Sequence, residues 1–150
     1  MNLIFFLCLG FVLCVVWIDL KFDWLAVPYR GKPGPLPEEV LAPMSYFYRY
    51  ITVNPIALAL AMLFSVVTLI MQIIQASVPA WVSWTSLILF ALAFVRAFLL
   101  VIPVARSLGK RTDSLEKQTS MAHALLIAHL FGFSLVLAVT LLQLYALWGK

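Results

Sequence analysis

Two carboxylates stand four residues apart in Trp17-Ile-Asp-Leu-Lys-Phe-Asp23, inside a run that is otherwise apolar enough to cross a membrane. An ionised side chain in such a run costs about 2.5–3.5 kcal/mol on insertion scales, so it turns inward and finds a partner. Arg96, His123 and His129 are the other ionisable groups set in apolar surroundings, and Asn54 adds a neutral polar one. Acids, imidazoles and a guanidinium brought together can move protons, hold an ion pair or ligate a metal. At 1.5 Å per residue, Asp19, Arg96 and His129 fall about 12–15 Å from the same end of three different helices. Asp23, Asn54 and His123 form a shallower set, about 3–7 Å in by the same rise. Asp19 with Arg96 is the expected ion pair, because a guanidinium offers five donors to the two carboxylate oxygens. His129 then either hydrogen-bonds Asp19 or titrates alone. Asp23, nearer the surface, is read as the more solvated of the two acids.

The spacing argues against the common metal arrangements. His123 and His129 are six residues apart, about 120° around a helix, and do not share a face as i, i+4 ligands do. There is no Glu-x-x-His pair of the di-iron kind. A mixed site of Asp19, Asp23 and one histidine stays open, with Arg96 opposing a cation there. A haem could take one axial histidine but not two from one helix. No metal and no cofactor are therefore expected. Cys8 and Cys14 lie about 9 Å apart along one helix, too far to pair, and read as core packing. Phosphate loops, nucleophile elbows and zincin motifs do not occur.

The elements that must position these groups follow from composition. Of 150 residues, 65% are hydrophobic and 11% charged, and the mean hydropathy is +1.07, which belongs to the membrane class. The isoelectric point near 9.3 does not indicate nucleic acid, since the cations flank apolar runs as topology determinants do. Four spans are predicted, about 3–27, 51–75, 82–104 and 120–148, joined by a proline-rich loop 28–49 and a basic loop 105–119. The expectation is an all-α, single-domain, antiparallel four-helix transmembrane bundle. The N-terminus lacks a basic n-region and a cleavage site, so the first span is expected to be retained.

Local signals mark the ends. Pro28 stops the first run, and Gly109 is read as a helix stop. Asp113-Ser-Leu-Glu116 has capping-box spacing. Met44–Tyr50 is an aromatic-basic segment suited to an interface. Trp17, Lys21 and Trp24 form an anchoring stripe opposite the two aspartates. Ala57 with Ala61, Ala93 with Ala97, and Ala124 with Ala128 and Gly132 predict close helix packing. Lysines and arginines on one side place both loops in the cytosol and both termini outside a plasma or inner membrane.

Trp-x-Asp-Leu-x-Phe-Asp, Arg96, the Arg-Thr-Asp-Ser loop and the histidines early in the fourth span resemble uncharacterised small four-helix bacterial membrane proteins. In layout the chain is also loosely similar to the anthrone-oxygenase-like family, linked to oxygenation of aromatic polyketides. The resemblance implies a fold and assigns no catalytic residue. Several readings stay open. The leading one is a non-enzymatic membrane component, a complex subunit or a lipid- or amphiphile-binding protein with a buried Asp-Arg-His layer. The alternatives are a small membrane-embedded enzyme of oxygenase or reductase type acting on a hydrophobic substrate, and a proton or ion path. The expected partners are the bilayer, other membrane subunits or further copies of the chain, and an amphiphilic ligand.

Overall fold

The computed structural model describes residues 3–53 and 55–148; Asn54, one of the shallower polar candidates, lies outside them. Among the described residues the chain is helical, without strands. Four helical stretches are long and apolar enough to cross a membrane: Leu3–Tyr29, Ile56–Ile74, Ala80–Lys110 and Leu115–Trp148.

Helix α1 (Leu3–Asp23) meets no breaker until Pro28 and tightens into a 3-10 turn over Trp24–Tyr29. Pro28 has no N–H to bond the fourth carbonyl back, so the shorter three-residue spacing takes over before the chain leaves the helix. Helix α2 (Glu38–Ile51) starts after Pro37, with Glu38 and Glu39 in its first turn, where carboxylates complement the helix dipole. Val40, Leu41, Met44, Ser45 and Tyr48 form its buried face. Far from lying on a surface, α2 therefore packs into a core shared with Ala105 and Leu108 and with Ala122 and Leu125. Tyr46 and Tyr50 remain exposed on its other side.

Helix α3 (Ile56–Ile74) begins after Pro55, later than the predicted start at residue 51, because α2 carries the chain through Ile51. Helix α4 (Ala80–Arg96) leads into a π-helical turn at Ala97–Val101 and then α5 (Ile102–Lys110). Pro103 explains the widening: it cannot bond the Leu99 carbonyl, and its ring crowds that oxygen. The helix thus passes the predicted end at residue 104. Gly109 does not stop it. A Cβ there would lie 2.9 Å from the Arg49 backbone nitrogen, so the glycine serves the close approach of α5 to α2. The stop is Arg111, left-handed at φ 55° and paired through its guanidinium with Glu38.

Helix α6 (Leu115–Trp148) is capped by Ser114, whose Oγ accepts from the Lys117 N–H at 3.3 Å. The expected cap Asp113 instead accepts from Lys117 Nζ at 2.5 Å and from Ser107 Oγ at 2.8 Å. A second core joins Phe5, Leu9 and Val12 of α1, Met62 and Leu69 of α3, Phe90 and Ala93 of α4, and Val136 and Val139 of α6. Outward faces stay apolar, with Leu7, Leu60, Ile88, Leu99 and Leu141 all more than half exposed. Cys14 is exposed rather than in the core, and Cys8 is half-buried.

Candidate functional site

Three helices meet at Asp23. As the last residue of α1, it is fully buried, while Trp17, Lys21 and Trp24 point outward and the Lys21 ammonium sits 5.7 Å from the Trp17 ring centre. The Asp23 Oδ1 atom accepts from the Tyr48 hydroxyl of α2 at 2.5 Å, and Oδ2 lies 2.6 Å from Nδ1 of His129 on α6. The Tyr48 and His129 rings are nearly parallel, 6.2 Å apart. Burial, followed by the Asp23 and Asp19 carboxylates, pushes the Tyr48 phenol well above its ordinary value, which keeps it the donor. With Asp23 as the acceptor, Nδ1 carries the proton, and in the neutral ring Nε2 presents its lone pair. That Nε2 lies 3.6 Å from Oδ2 of Asp19, one helical turn before Asp23.

Asp19 and Arg96 do not form the expected ion pair. Among the described residues Asp19 Oδ1 and Arg96 Nε are both buried without a hydrogen-bond partner, and the Arg96 guanidinium lies 4.9 Å from the Phe131 ring centre. This is a cation–π contact, which attracts the charge but satisfies no N–H donor. Asp23, read as the solvated acid, is instead the best-connected one. His123 stands apart from it, with Nε2 buried and unpartnered.

Asp19, Tyr48, Arg96 and His129 are the main polar lining of a cavity of about 200 Å³. Its other walls are Val12, Val15 and Val16 of α1, Leu58 and Met62 of α3, and Val101 and Ile102 beyond α4. Ala57, Ala93, Ala97, Ala105, Ala128 and Gly132 also line it. At these positions the small residues make room where the sequence pattern predicted tight helix contact. A Cβ on Gly132 would meet nothing within 4 Å. The π turn begins one residue after Arg96 and supplies Ala97 and Val101 to the wall, as π segments often do near functional sites.

Among the described residues no group of three or more His, Cys, Asp or Glu side chains is placed to hold a metal ion. Both Asp23 oxygens are committed to Tyr48 and His129, which leaves only Asp19 and one imidazole nitrogen, beside a guanidinium. The arrangement can bind a hydrophobic molecule by a polar end and can exchange a proton with it at Nε2. Tyr48 was missed by the sequence reading. The spacing of Val40, Leu41, Met44 and Tyr48, one apolar helical face, was the signal that could have found it.

A second polar cluster joins α6 to two other helices, α3 and α4. Gln72 Nε2 of α3 donates to Gln143 Oε1 of α6 at 3.1 Å, and Gln143 Nε2 donates to Ser86 Oγ of α4 at 3.0 Å. Gln143 is fully buried. No family model, curated protein or solved structure matches the chain.

Proposed function

We propose that this chain is an integral membrane protein, an antiparallel four-helix bundle that binds a hydrophobic small molecule with a polar head. The head sits among Asp19, Arg96 and His129, and Tyr48 and Asp23 hold the histidine in place. One observation carries the reading: an apolar cavity converges on buried polar atoms, Asp19 Oδ1 and Arg96 Nε, that have no hydrogen-bond partner among the described residues. A purely structural clamp would pair these atoms with each other, since an unpaired buried charge is costly. Apolar outward faces on all four long helices support insertion in a bilayer. Cations gathered at the loops support a reading with those loops in the cytosol and both termini outside.

Gly132→Leu tests the reading by filling the cavity from a position with free space. Protein extracted in mild detergent should carry a co-purifying small molecule, seen by native mass spectrometry. In the variant it should be lost while helix content and thermal transition are kept. Equal recovery from both proteins, or none from the wild type, would overturn the proposal.

A second reading is favoured by the Asp23–His129 bond. A carboxylate on Nδ1 orients an imidazole whose Nε2 faces the cavity, the arrangement of a general base. The protein is then a small membrane enzyme, of oxygenase or reductase type, acting on its hydrophobic ligand. Loss of turnover with ligand retained in His129→Gln would separate this reading from binding alone.

A further inference from the structure

We infer that the ligand is a long-chain amphiphile with an uncharged, hydroxyl-bearing head, whose tail leaves the cavity past Phe11 and lies in the groove between α1 and α3. The inference rests on the binding reading above and names the ligand's class and orientation. Among the described residues, Phe11 lines both the cavity and a second, largely apolar groove formed by Leu7 and Cys8 of α1 and Leu60, Phe64 and Val67 of α3. Leu7, Phe11, Val15 and Asp19 follow at four-residue intervals and so form one slanting ridge, which turns about 120° around α1 from end to end. Along α3, Ala57 and Met62 line the cavity, and the groove continues beyond them to Val67. From Asp19 to the groove's far end at Ile4 the helix rises about 22 Å, a length suited to a long alkyl chain.

The head follows from the two unpartnered atoms. Arg96 Nε needs an acceptor, and Asp19 Oδ1, on a residue 8% exposed, needs a donor if ionised. An anionic head would satisfy Arg96 and be repelled by Asp19; a cationic head would do the reverse. A hydroxyl donates and accepts, and meets both needs without adding a charge. In a bilayer the tail exchanges lipid contacts for protein contacts, so the groove sets direction more than affinity. The informative measurement is therefore where the tail ends.

The probe is a long-chain alcohol with a diazirine at its methyl end, photolysed with the full chain in lipid nanodiscs and mapped by peptide mass spectrometry. Label is expected on residues 4–8 and 64–67. Unlabelled alcohol should compete about tenfold better than the carboxylate of equal chain length, a difference of about 1.4 kcal/mol. Ala61→Trp, which fills the groove, should displace the label; Leu63→Trp on its rim serves if that variant does not fold. Label elsewhere that is lost in Gly132→Leu would overturn the groove and leave the cavity reading standing. Competition by the carboxylate at least equal to the alcohol's would overturn the uncharged head. Labelling indifferent to the tryptophan and Gly132→Leu variants alike would overturn both readings.

Discussion

The two buried polar clusters divide the bundle's chemistry between them. Around Gln143 the groups are neutral, bridge α3, α4 and α6 in a short chain of hydrogen bonds, and border neither the cavity nor the groove. Around Asp23 the groups are ionisable, one carboxylate is shared by a phenol and an imidazole, and a cavity opens beside them. Neutral amides can join helices at modest cost because nothing is left charged. A carboxylate, an imidazole and a guanidinium in apolar surroundings cost far more, and Asp19 and Arg96 are not closed off by each other. Such a difference makes the first cluster read as a fastening between helices and the second as the candidate site.

The sharpest way to break the comparison is to remove one acceptor from each cluster. Asp23→Ala leaves the Tyr48 hydroxyl and His129 Nδ1 unpaired in the interior and should cost about 3–5 kcal/mol. Thermal unfolding in detergent reads this as a large drop in transition temperature, partly restored in Asp23→Asn, which keeps an acceptor for Tyr48. Gln143→Leu should cost only about 1 kcal/mol, the scale of interhelical hydrogen bonds in membranes, and leave the co-purifying molecule in place. Equal losses from the two substitutions would erase the distinction drawn here.

The smallest effect concerns the scaffold of the ionisable cluster. Hydrogen bonding from Arg111 holds the Glu38 carboxyl below its ordinary value, with the opposing effect of desolvation outweighed. A folded-state value depressed in this way adds stability that is present above the unfolded carboxylate range and lost as pH falls through the folded value. Acidification should therefore loosen the start of α2, the helix that carries Tyr48, before it affects α3 and Gln72. Hydrogen exchange across α2 and α3 measures this, and Glu38→Gln should remove the pH dependence.

Much of the fold was legible because long apolar runs bounded by proline, tryptophan and basic residues admit few solutions in a bilayer. Asp19, Asp23 and His129 could be singled out one by one for a related reason: an ionisable group in such a run is expensive wherever it points. Their partnership was less legible. Depth along each helix ranked Asp19 with Arg96 because linear rise says nothing about azimuth or about which neighbour reaches in. Tyr48 escaped notice because α2 was read as a surface segment, although its apolar face was written in the spacing of Val40, Leu41, Met44 and Tyr48.

The same split holds for the smaller signals. Gly109, Ser114 and the alanine stripes were all visible as types, and each type admits more than one use. A glycine can end a helix or let another backbone approach; the 2.9 Å distance to Arg49 decides for the second. An alanine stripe can close a helix interface or line a void, and the space around Gly132 shows that part of this pattern lines a void.

By itself, then, the sequence determined four apolar helical runs and the ionisable groups that needed partners. These depend on composition, period and transfer cost, which are properties of local chain. Only the tertiary structure decided that Asp23 rather than Asp19 holds the histidine, that Tyr48 joins them and that Arg96 faces a cavity. Each of these is settled by helix rotation and by the insertion of α2, and those emerge from packing all the elements at once.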